Sequence, residues 1–145
     1  FFTNALFPVF VQRIDNKNFP RLFMESIVLS LITSVISVIV ILFLAKYIIL
    51  IIGGKSFLEA VLPLRILSLT FVLSIFINIF YNVIIAQNMQ KHAILIGVVA
   101  LIFNVVVNVL FIPKYSYIAS SVITVVTSLI ILTGYIFIAK KTKII

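Results

Sequence analysis

Residues 93–139 read AILIGVVALIFNVVVNVLFIPKYSYIASSVITVVTSLIILTGYIFIA, and their only charged side chain is Lys114, beside Pro113. On either side of that break lies an apolar run, Ala93 to Ile112 and Tyr117 to Ala139. Each matches the ~20 helical residues that cross a hydrocarbon core of about 30 Å. A membrane strand takes only about 9–11 residues and alternates strictly, so the lengths select helix although Ile and Val abound. Two further runs of the same kind come earlier, Ser26 to about Ile52 and about Leu62 to Ala86. The breaks are Gly53-Gly54, the stretch from Gln87 to His92, and Pro113-Lys114. Connections this short make neighbouring helices antiparallel. The sequence thus predicts an all-α integral membrane protein with four antiparallel transmembrane helices, at about 26–52, 57–88, 92–112 and 117–140.

Composition agrees with lipid as the solvent. Of 145 residues 64% are apolar and 10% charged, with a mean hydropathy of +1.40. A water-soluble domain carries about a quarter of its residues charged, so a soluble enzyme is excluded. The net charge of +8 would suggest nucleic acid in a soluble chain, but here the cations flank the apolar runs. No basic patch is interleaved with aromatic residues on a polar face, so no nucleic-acid partner is expected. Arg13, Lys17, Arg21, Lys91, Lys140, Lys141 and Lys143 fall on one side of the membrane, and Lys46, Lys55, Arg65 and Lys114 on the other. The larger group marks the cytoplasmic side, which gives a multi-pass protein of the cell membrane with its C-terminus in the cytoplasm. Cysteine is absent, which rules out disulfides and thiolate metal sites.

Residues 1–12, FFTNALFPVFVQ, look like the last turns of an earlier span, and the chain reads as a piece of something longer. Arg13 to Glu25 mixes charges with Ile14, Phe19, Leu22, Phe23 and Met24, which suits either a short segment lying at the membrane surface or an ordinary loop. Ser56-Phe57-Leu58-Glu59 has the form of a capping box, so the second helix is expected to begin near Phe57, outside the hydrocarbon. Pro63 would then kink it or mark its restart.

The polar residues inside the runs fall on helical faces. Ser26, Ser30, Thr33, Ser34 and Ser37 form one stripe, and Ser120, Ser121, Thr124, Thr127 and Ser128 another. Small and hydroxyl side chains let helices approach closely. The asparagines Asn78, Asn82, Asn104 and Asn108 ask for more, because a primary amide in lipid needs partners for two donors and an acceptor. They face a polar cavity or bridge helices, and the pattern leaves both open. Arg65 either snorkels to the outer headgroups or faces a cavity and attracts an anion. The three carboxylates, Asp15, Glu25 and Glu59, lie at or beyond helix ends, which leaves no buried acid to relay protons. His92, the one histidine, lies in a loop beside Lys91. No nucleophile, acid–base pair, metal spacing or phosphate-binding loop is present, so catalysis, metal and cofactor are not expected.

From Gly53 to Ala139 the chain resembles the C-terminal part of the polysaccharide-biosynthesis flippases, within the multidrug/oligosaccharidyl-lipid/polysaccharide transporter superfamily. The resembling residues are Gly54 with Phe57 and Ala60, Leu64-Arg65-Ile66-Leu67, Ala86-Gln87-Asn88 with Lys91, Asn104 and Asn108, and Phe111-Ile112-Pro113-Lys114-Tyr115. Leu6-Phe7-Pro8-Val9 followed by Arg13 resembles the end of the family's preceding helix. The chain departs from the family after the Ile-Pro-x-Tyr turn. There the family has Gly and then Gly-Ala-Ala, whereas Ser116 and Ala119-Ser120-Ser121 stand here. The residues stay small, but the backbone freedom of glycine is put in doubt.

The resemblance implies two helical lobes around a central cavity, with residues 1–145 as part of the C-terminal lobe and the N-terminal lobe missing. It implies a flippase that moves a polyprenyl-diphosphate-linked oligosaccharide across the membrane. Its partners would be the bilayer, that lipid-linked oligosaccharide with its anionic head, and the missing lobe. Arg65, Asn78, Asn82, Asn104 and Asn108 are the candidate cavity residues. The alternatives are a cation-coupled multidrug exporter of the same superfamily and a membrane anchor or assembly subunit that transports nothing.

Overall fold

The computed structural model describes residues 19–141. The expected end of an earlier span, the first part of the expected surface segment, and the residues after Lys141 lie outside this range. Three α-helices and one 3-10 segment make up the described chain, with no strand among them. They are α1 (Phe19–Gly53), the 3-10 segment Lys55–Ala60, α2 (Val61–Ala86) and α3 (Gln90–Lys141). Each helix is long and apolar enough to cross a membrane, over Ile27–Gly53, Lys55–Ile85 and Gln90–Lys141. Large apolar side chains such as Ile36, Phe43, Val109 and Phe137 are exposed, as the lipid-facing surface of helices must be.

α1 begins before the expected position. From Phe19 onward the segment expected at the membrane surface is about the first two turns of α1. Pro20 is tolerated there because the first backbone N–H groups of a helix have no intrahelical partner.

The capping box does not form. Gly54 ends α1 by donating its N–H to the Leu50 carbonyl at 3.1 Å, and its own carbonyl accepts from Phe57 N–H at 3.3 Å. That second bond starts the 3-10 turn at Gly54, so Ser56 already lies inside it and cannot stand at the cap position. Gly54 has φ 73° and ψ −170°, a region that is essentially glycine's alone. Pro63 falls in the first turn of α2, where its missing N–H breaks no helical bond.

α2 ends in a Schellman motif. Asn88 adopts the left-handed conformation (φ 58°), its N–H bonds the Ile85 carbonyl at 2.9 Å, and Met89 N–H bonds the Ile84 carbonyl at 3.1 Å. Asparagine tolerates this conformation better than other side chains that carry a Cβ. Met89 also packs against the buried cluster that contains Ile84. The best-buried cluster, Ile84, Ala93 and Tyr135, lies at this same end of the molecule.

Helical backbone runs through Pro113 and Lys114 and breaks at Ser116, which has φ 56° and ψ −151°. Serine thus occupies a conformation close to the one Gly54 takes. The parts of α3 before and after Ser116 touch side by side. Asn104 donates to Thr127, 23 positions later, at 2.9 Å, and a Cβ on Gly134 would stand 3.0 Å from Ile96 Cδ1. In a straight helix, residues 23 apart would be separated by about 35 Å. At the Ser116 end, Tyr117 donates its hydroxyl hydrogen to Glu59 of the 3-10 segment, which ties the two turns together.

Candidate functional site

Most hydroxyls of the Ser/Thr stripes donate to a carbonyl three or four residues back in their own helix. Thr33 to Leu29, Ser37 to Thr33, Thr124 to Ser120 and Ser128 to Thr124 all do so, at 2.8, 2.9, 2.8 and 3.0 Å. In lipid this satisfies the hydroxyl hydrogen locally and leaves the oxygen as an acceptor.

Two of the candidate amides use such an acceptor to build a directional relay. Asn108 Nδ2 donates to Asn104 Oδ1 at 3.1 Å and to the Asn104 carbonyl at 2.8 Å. Asn104 Nδ2 donates to Thr127 Oγ1 at 2.9 Å, and Thr127 Oγ1 donates to the Ile123 carbonyl at 2.7 Å. Each of these donor atoms has an acceptor in the relay, so successive bonds polarise one another. The spacing Asn104–Asn108 produces it, since residues four apart share a helical face. One acceptor is left over, because Asn108 Oδ1 is buried and has no hydrogen-bond partner.

Beside the relay runs an open groove of about 360 Å³, lined by Asn104, Val105, Asn108, Val109, Ile112 and Pro113. Proline has no N–H to return to the carbonyl four residues back, so the Val109 carbonyl lacks its helical donor. Asn104 and Asn108 are the polar side chains of this groove, and the unpartnered Asn108 Oδ1 is buried behind its surface.

The other candidates lie elsewhere. Asn78 Nδ2 donates to the Ser74 carbonyl one turn back, at 2.7 Å, within α2. Asn82, 7% exposed, is buried with its Nδ2 unpartnered. Arg65 is exposed, and its Nε donates to the Leu42 carbonyl of α1 at 3.1 Å. The structure thus joins Asn104 to Asn108, adds Thr127 as the partner that site selection by residue type passed over, and puts Arg65 at the seam of α1 and α2. The signal for Thr127 was its stripe facing the asparagine stripe across the Pro113 break.

No family model, no curated protein and no solved structure matches this chain.

Proposed function

We propose that the chain crosses the membrane four times and forms part of the second lobe of a flippase that exports a lipid-linked oligosaccharide. The observation that carries the transport reading is the amide relay of Asn108, Asn104 and Thr127, placed within membrane-length helices and leaving one acceptor beside a groove. An unpartnered amide oxygen in lipid costs about 1–3 kcal/mol, so its retention favours a polar visitor over pure helix packing. A glycan offers hydroxyl donors in number, and one of them would reach the buried Asn108 oxygen when the helices part, as alternating access requires. Moving such a head group through hydrocarbon unaided strips every hydroxyl and charge of its water, and a polar path alternating between two faces lowers that cost without bond chemistry. The ordered resemblance, from Gly54 through Leu64-Arg65-Ile66-Leu67 to Pro113-Lys114-Tyr115, supplies the family.

The four-span reading rests on length and contact. α3 has 52 residues, about 78 Å of helix, more than twice the thickness of a hydrocarbon core. The pairs Asn104–Thr127 and Ile96–Gly134 are centred on the same point of the chain, beside Ser116. Two contacts with a shared centre are those of a strand of chain that reverses there.

In the full-length protein, Asn108→Leu removes the free acceptor, together with the amide's bonds to Asn104, while keeping the branched outline of the side chain. Surface polysaccharide should fall at least about tenfold, the change expected for the upper part of that 1–3 kcal/mol range, with membrane-inserted protein unchanged. Export at the wild-type level would sink the transport reading and leave helix packing as the amides' role. The anchor reading is favoured by one observation, that Asn104 bridges to Thr127. It predicts the opposite result, lost insertion with Asn104→Leu and no export phenotype with Asn108→Leu.

A further inference from the structure

Arg65 is held in an unusual way for a cation in an apolar helix. Its Nε donates to the carbonyl of Leu42, in the interior of α1. In an α-helix that same oxygen accepts the backbone N–H of the residue four positions on, which is Lys46. The Arg65 guanidinium is therefore docked at the turn of α1 that carries Lys46, and a helical side chain leans back over the turn before its own Cα, here the Leu42 turn. Arg65 Nε and the Lys46 backbone N–H thus point at one oxygen, which sets the two residues side by side on the α1–α2 seam. Both are exposed, and neither forms an ion pair among the described residues.

The level of this pair in the membrane follows from the charges of α1. Ser26 to Ala45 carries no charged residue, and Glu25 and Lys46 close it on either side. That is the length of about 20 helical residues that fills a hydrocarbon core of about 30 Å. Lys46 therefore marks the boundary between acyl chains and headgroups, and Arg65, docked beside it, stands at the same depth. Tyr47, exposed next to Lys46, is the kind of residue enriched at that boundary.

Two like charges brought together in a partly dehydrated layer repel unless an anion sits between them. The depth selects the chemistry of that anion, because phosphate is the charged group that a bilayer presents just outside its acyl chains. The Leu42 carbonyl occupies Nε and fixes the guanidinium plane, which leaves the two Nη groups to grip an oxyanion.

We propose that Arg65 and Lys46 form a clasp for a phosphate oxyanion at the membrane boundary, filled by the headgroup of an anionic phospholipid. The site does not depend on any transported substrate, and its test is made by binding instead of export. The intact protein is purified in a neutral detergent, and lipid adducts are counted by native mass spectrometry after adding phosphatidylglycerol or phosphatidylcholine in equal amount. Phosphatidylglycerol should be retained at least about fivefold over phosphatidylcholine. That preference should be lost in Lys46→Gln, which removes a charge but no hydrogen bond of the fold, and in Arg65→Gln. Lys55→Gln, outside the clasp, should keep it, and circular dichroism should show all three variants as helical as the parent. Inorganic diphosphate in a parallel titration separates the sources. If it binds in a Lys46-dependent way while phosphatidylglycerol shows no preference, the oxyanion site stands but the lipid as its occupant is overturned. Equal retention of both lipids with no diphosphate binding, or a preference that survives Lys46→Gln and Arg65→Gln, overturns the clasp itself.

Discussion

Ser116 is the residue at which sequence and backbone meet most sharply. With φ 56° and ψ −151° it holds a conformation that costs a residue carrying a Cβ about 1–3 kcal/mol. The sequence marked the place as one where glycine's freedom is in doubt, and the chain adopts the glycine-like conformation with serine. Ser116→Gly should therefore stabilise the protein by about 1 kcal/mol or more, and Ser116→Val should destabilise it by at least as much. Denaturant unfolding in detergent, followed by helical circular dichroism, checks both signs; equal midpoints for Gly, Ser and Val would show that the turn is unstrained. Other residue-scale features were less legible. Arg65 could be singled out as a cation inside an apolar run, but its partner is a backbone carbonyl, and any residue of α1 offers one. Glu59 was legible as half of a capping box. Its carboxylate instead accepts from Tyr117, a pairing across 58 positions that no local pattern encodes.

At the scale of elements, the apolar runs and their punctuation were readable because lipid imposes one demand, that each backbone polar group be satisfied within its own helix. Run length therefore carries the information that amphipathic periodicity carries in water. The ends were less readable, since they depend on backbone conformation. Gly54 takes over the cap expected of Ser56, and α2 stops at Ala86 because Asn88 turns left-handed. Close approach within α3 rests on Gly134, where an added Cβ would lie 3.0 Å from both Ile96 Cδ1 and Ile96 Cγ2. Gly134→Leu should force the two parts of α3 apart and cost about 1–3 kcal/mol, the usual range for overpacking. Ile96→Ala in the same protein should restore much of the loss by clearing the space. A double variant no more stable than Gly134→Leu alone would mean that the two residues do not share this contact.

For the whole molecule the decisive quantity is how many times α3 crosses the membrane. If it crossed once, its 52 residues would project about 48 Å beyond a 30 Å core, leaving a long apolar helix in water. Such a surface is stable only against lipid or another apolar partner. Reversal at Ser116 would keep both parts in the hydrocarbon and would bring Lys140 and Lys141 back to the side of Lys91. The two arrangements differ in the parity of crossings between the turn after α2 and the end of α3. The chain has no cysteine, so single cysteines placed at Ser56, Asn88 and Lys141 are unique reporters. With two crossings, Asn88 and Lys141 lie on one side and Ser56 on the other. With one crossing, Ser56 and Lys141 share a side and Asn88 stands alone. An impermeant thiol reagent applied to intact cells should label Ser56→Cys alone, and after permeabilisation all three. Labelling of Ser56→Cys together with Lys141→Cys in intact cells would establish a single crossing. Labelling of Asn88→Cys together with Lys141→Cys would keep two crossings but invert the orientation, placing the basic ends outside and setting aside the positive-inside assignment.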